Sequence, residues 1–182
     1  MKNLFIKVAL KLLQLCGVNA IGFKGQYTAV CYDSNGNAKW KEDVTNLIPT
    51  EGLIEFLRLI AGQSTSTSWY LGLGTASYTP SSTATGATIA SLVGEFTGYT
   101  ETTRPVFVKP EVTGTTISNS ASNAVFTVNA GATITNAFLI TDSTKNGTSG
   151  KALSVVALTQ SRPVVSGDTI KLEYGITAVS QS

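Results

Sequence analysis

Apolar residues crowd the first twenty positions and then thin out. Over MKNLFIKVALKLLQLCGVNA, an advance of about 100° per residue puts Asn3, Lys7, Lys11 and Gln14 on one narrow stripe. Leu4, Phe5, Ile6, Val8, Leu10, Leu12, Leu13 and Leu15 take the rest of the circumference. The spacing predicts a helix over about 4–16, and such an arc of apolar side chains has to be covered. Leu4, Phe5, Val8, Leu12, Leu13 and Leu15 are therefore the candidate partner contacts. A secretory signal is the rival reading, with Lys2 as its basic start and Val18-Asn19-Ala20 as a cleavage site. Lys7 and Lys11 interrupt what should be an uncharged stretch, so Met1 is expected to be retained in the mature protein. The run is also too short and too charged to span a bilayer.

From residue 23 onward the period shortens. Tyr27, Ala29 and Cys31 alternate with Thr28, Val30 and Tyr32, and AKWKEDV follows after DSNGN. This predicts a hairpin over 25–43 turning at Ser34-Asn35-Gly36. Helical spacing returns once, at Leu53, Ile54, Leu57 and Ile60. It predicts a helix over 50–61 capped by Thr50, with Arg58 in its last turn, Gly62 as terminator and those four residues facing inward. Strands are then expected near 69–73, 104–109, 113–118, 123–128, 133–141, 152–159 and 168–178. DSTKNGTSG at 142–150 and RPVVSGD at 162–168 read as turns. ATIASLVGEF at 87–96 fits either one helical turn or an extended crossing. Many short strands with evenly spaced turns predict a mainly β fold, an antiparallel β-sandwich or jelly-roll-like barrel. One short helix and the N-terminal helical arm complete it. The expected division is an arm at 1–22 and a single β-rich domain at 23–182.

Candidate chemistry changes this picture little. SWYLGLGTASYTPSSTATG, residues 68–86, offers Gly72 and Gly74 as the opening of a phosphate-cradling loop. The dinucleotide pattern needs a third glycine at 77, where Ser stands, and a helix where Pro80 and a Ser/Thr cluster follow. The glycines read instead as a strand that another segment approaches closely, with Trp69 and Leu71 on one face and Tyr70 on the other. The Ser/Thr run beyond them reads as an ordered surface loop. Asn146-Gly147-Thr148 matches a glycosylation sequon, a pattern common by chance. Glu42 and Asp43 are neighbours on one strand and should point to opposite faces. Glu101, Glu111, Asp142, Asp168 and Glu173 read as solvated or turn-stabilising.

The 182 residues contain no histidine and two cysteines, Cys16 and Cys31, which form no CxxC pair and read as reduced apolar residues. This removes Ser-His and Cys-His nucleophile arrangements and the commonest zinc ligand. Only 13% of residues are charged and the net charge is +2, with no basic patch for nucleic acid. No catalytic residue, metal ligand or cofactor site is expected, and the protein reads as non-enzymatic.

The order YTAVCYDSNGNAKWKEDVTNLIPTEGL, WYLGLGT, YTETTRP, TISNSASNAVFTVNAGATITNAFLITDSTKNGTSGKALSVVAL and SGDTIKLEYGITA resembles a group of tailed-bacteriophage virion proteins. These are described as head-decoration, cement or tail-fibre-like proteins. The resemblance covers roughly residues 23–182, and residues 1–22 depart from it. It implies a virion structural protein whose partners are the major capsid protein and neighbouring copies of itself. No nucleic acid, membrane or small-molecule substrate is implied. Placement on the capsid or in a tail or fibre stays open, and a secreted carbohydrate-active domain is the third reading, should residues 1–20 be a signal.

Overall fold

The structure is a computed structural model that describes residues 20–181. The expected helix over 4–16, with its candidate contacts Leu4, Phe5, Val8, Leu12, Leu13 and Leu15, lies outside the described residues. The fold is mainly β, with antiparallel sheets and two helices.

Strands β1 (Ala20–Tyr32) and β2 (Ala38–Thr45) form the expected hairpin. Asp33 builds its turn: one carboxylate oxygen accepts from the amides of Asn35 and Asn37, both at 2.9 Å. Gly36 takes the left-handed conformation there, at φ +85°. The strand β8 (Thr169–Gln181) runs along the other side of β1, aligning Tyr27 with Tyr174, Ala29 with Leu172 and Cys31 with Ile170. All six are buried, so one face of this pair forms core. Two short strands, β4 (Thr116–Ser118) and β5 (Ala124–Thr127), complete the sheet along β8.

The second sheet has the order β3 (Tyr70–Gly74), β6 (Ala132–Ile140), β7 (Ala152–Val164). Both its faces are covered. Leu71, Leu73, Ala137, Leu139 and Val156 join the main core together with the inward residues of the first sheet. Phe138, Ile140 and Val155 point the other way, into a smaller cluster with Ala84, Ile89 and Val93. The Ser/Thr run after GLG is thus the lid of this second cluster. It is held by backbone bonds such as Thr50 N–H to Ser82 C=O and Thr75 N–H to Val93 C=O. At 87–96 the helical alternative is the one adopted: α2 spans Ile89–Val93 and ends at Gly94 with φ +56°. Here α1 denotes the helix Thr50–Ile60.

Helix α1 lies where the spacing put it but is rotated. Gly52, Glu55 and Phe56 are buried, whereas Leu53, Ile54, Leu57 and Ile60 are exposed by 42%, 47%, 62% and 74%. The helix is apolar on two sides, and close approach decides between them. A Cβ at Gly52 would lie 2.7 Å from the Leu153 carbonyl oxygen of β7. Only the glycine face can come that near. Phe56 then stacks on Phe23 and Trp69 with ring centres 5.5 and 5.8 Å away. Thr50 is the first helical residue rather than the cap, since Pro49 holds the cap position without a side-chain bond.

Two further expectations change. Residues 104–109 run beside β3 without becoming a strand. Leu71 N–H donates to Pro105 C=O and Phe107 N–H to Trp69 C=O, with a single bridge at Val106. Pro105 and Pro110 withhold the donors a ladder needs. Conversely, β7 continues through RPV of the expected turn. It is an edge strand, where Pro163 is tolerated, and the turn contracts to the Val165–Asp168 region.

Candidate functional site

Gly72 and Gly74 lie on β3, and their neighbours explain them. A Cβ on Gly72 would stand 2.2 Å from the Phe138 ring, and one on Gly74 would stand 2.6 Å from Val93. Trp69 and Leu71 face the main core while Tyr70 packs on the second cluster. The GLG segment is a packing device, with side chains where a phosphate would sit.

The acidic side chains separate into clamps. Glu42 and Asp43 do point oppositely, and Glu42 is buried rather than solvated. It accepts from Thr159 Oγ1 at 2.7 Å and from Arg162 Nε at 2.7 Å. Burial alone would raise its pKa, but the hydrogen bonds from Thr159 and Arg162 hold it below the ordinary carboxylate value. Asp168 receives Lys39 and the Val165 amide, closing the β7–β8 turn onto β2. Asp142 accepts from the Thr144 amide two residues on, the expected turn-starting bond.

Arg104 is the largest fully buried side chain among the described residues, and the sequence carries no sign of it. Its guanidinium meets Glu95 with two bonds of 2.8 and 2.7 Å, and both side chains are wholly buried. It also donates to the carbonyls of Asp142 and Gly147, tying down the 142–150 turn, and lies over the Phe138 ring.

One polar cluster links the two sheets. Tyr27 Oη donates to Ser154 Oγ at 3.1 Å, and Asn46 Nδ2 donates to the same Ser154 oxygen. Ser154 therefore receives two donors and has no base to take its own proton, so it serves as a link rather than a nucleophile. Burial drives the Tyr27 pKa upward and pushes Tyr174 beside it to about 12. The free Cys31 is likewise pushed to about 11, by burial first and the Asp168 charge second. Such a thiol is unreactive. Among the described residues, no three His, Cys, Asp or Glu side chains gather as metal ligands. No helix among them is long and apolar enough to cross a membrane.

What the surface offers is contact. The outer face of α1 presents Leu53, Ile54, Leu57 and Ile60. Beside it opens a groove of about 480 Å³, walled by Phe23, Phe56, Leu59, Trp69, Ile117 and Ile176. Its wall carries one charged side chain, Lys109, whose amine sits 4.3 Å from the Trp69 ring centre. Desolvation lowers that lysine's pKa. Alternation in β1 foretold Tyr27 and Ala29 in the core; nothing in the sequence foretold an open end at Phe23.

Comparison with protein-family models, curated proteins and solved structures finds no match in any of the three.

Proposed function

We propose that this protein is a non-enzymatic structural component of a bacteriophage particle, a capsid decoration or cement protein. In this reading its two sheets pack as a β-sandwich that binds and stabilises the shell of major capsid protein. The N-terminal segment supplies an anchoring contact to that subunit or to a neighbouring copy of this chain.

One observation carries the proposal. The side chains able to do acid–base work at Glu42, Glu95 and Asp168 are each consumed in holding one chain segment to another. The exposed assets are apolar contact faces. The wording of residues 23–182, similar to phage virion proteins, gives those faces a setting in which many copies add weak contacts into avidity. A surface poor in charge suits that packing, because few strongly hydrated groups have to lose water.

Quantitative mass spectrometry of purified particles tests this. Hundreds of copies per particle support a shell protein; a few copies favour a tail or fibre component in host attachment. Absence from particles overturns both.

A further inference from the structure

The main core is open at one end. Along β1 the inward positions are Tyr27, Gly25, Phe23 and Ile21, and β8 answers with Tyr174, Ile176 and Ala178. Cover runs out along this row: Tyr27 is fully buried, Phe23 partly, and Ile21 is 78% exposed. Helix α1 flanks the opening with Leu59 and with Ile60, itself 74% exposed. At the base lies Trp69, whose buried Nε1–H has no acceptor among the described residues.

The chain enters β1 at this rim. Ala20 pairs with Gln181, three residues before Phe23. We propose that residues 4–16 of the same chain are the missing cover. They lie in the groove as a helix, with Leu12, Leu13 and Leu15 turned onto Phe23, Ile60 and Ile176.

Reach, charge and linkage favour this occupant. From Cys16 to Ala20 the backbone spans at most about 14 Å, so the last helical turn stays near the rim. Residues 1–19 carry Lys2, Lys7 and Lys11 and no acid, while the groove's charge is Lys109. Like charges put the lysine stripe outward and the apolar arc inward. A segment joined by so short a linker meets the groove at an effective concentration of the order of millimolar. A neighbour's segment would have to outcompete it. Any anchoring contact on a particle then requires release from this seat, a consequence that rests on the proposed function; the seat itself does not.

Hydrogen exchange by mass spectrometry on the full chain, free in solution, tests the seat. Light scattering of the same samples reports their mass. In the wild type, amides of 4–16 should exchange at least about 10-fold more slowly than an unstructured segment, independent of concentration and at monomer mass. Leu12→Asp, on the arc, and Ile60→Asp, on the exposed groove wall, should each abolish that protection. Amides of β6 and β7, away from the groove, should be unchanged in both and report an intact body. Unprotected 4–16 amides in the wild type overturn the seat, as does protection that survives Ile60→Asp. Protection that appears only with dimer mass at high concentration also overturns it, in favour of a second copy as occupant. Copy number on particles does not enter this result, so the two proposals fail separately.

Discussion

Removing the Arg104 charge should damage this protein more than any other single surface-neutral change. In Arg104→Met the side chain stays long and apolar, so packing on Phe138 is largely kept. What is lost is both donors to Glu95 and those to the carbonyls of Asp142 and Gly147. Glu95 then retains the Asn146 amide, at 2.7 Å, in a site from which water is excluded. Breaking a wholly buried pair from one side costs about 3–5 kcal/mol, a third or more of the stability of an ordinary domain at about 5–15 kcal/mol. Urea unfolding at neutral pH should show the midpoint falling with an unchanged slope. The double variant Arg104→Met with Glu95→Leu removes both charges, and it should recover at least about 1 kcal/mol relative to the sum of the single changes. Hydrogen exchange should report the loosened 142–150 turn in both variants. A single-variant cost below about 1 kcal/mol, or strict additivity in the double, would refute the clamp.

Neighbouring positions on α1 should behave oppositely. Phe56→Ala is expected to cost about 3–5 kcal/mol, and Leu57→Ala to stay within about 0.5 kcal/mol, both read from urea midpoints. Gly72→Ala drives a methyl into the buried Phe138 ring and should cost about 1–3 kcal/mol without any change in nucleotide binding. Glu42 has a folded pKa below its unfolded one. Its stabilisation is therefore complete above about pH 4.3 and fades as pH falls through the lower folded value. Glu42→Gln should accordingly be less stable at neutral pH and lose stability less steeply on acidification, as thermal melts from pH 7 to 3 would record. With its thiol at about 11, Cys31 should alkylate at least about 100-fold more slowly in the native protein than in urea at pH 8, measured by intact mass.

Strand alternation made much of the first sheet legible, because register there follows a buried face. Tyr27, Ala29 and Cys31 were readable as core, and DSNGN as their turn, from local chemistry alone. Helix α1 shows the limit. Its period fixed the element but not its rotation, since apolar side chains stand on two sides and the choice belongs to Gly52 meeting the β7 backbone. A glycine carries no hydrophobic signal, so a pattern of apolar residues misses the face it selects. The 104–109 segment failed for a related reason. Its apolar residues favour a strand, and the prolines around them remove the ladder. Arg104 was invisible because charge predicts exposure, and only the distant 142–150 turn supplies the carbonyls that bury it.

The placement of charge bears on the proposed role. The chain has few charged residues to begin with, and the structure spends several of the strongest pairs inside. Glu42 with Arg162, Asp168 with Lys39, and Glu51 with Lys151 each join segments at least a hundred residues apart. The Glu51 carboxylate also accepts the amides of Gly86 and Ala152, so it binds α1 to the Ser/Thr lid and to β7 at once. Charges placed this way hold loops to sheets and are withdrawn from the outer surface. The remaining surface is dominated by Ser, Thr and Asn hydroxyls and amides, interrupted by the apolar faces of α1 and the groove. A surface of that kind gains little from long-range attraction and loses little when water leaves it. Association between such faces should therefore change little between about 50 and 500 mM salt. Light scattering or particle-binding measurements across that range would show it, and a steep loss of binding with salt would point to a charged partner instead.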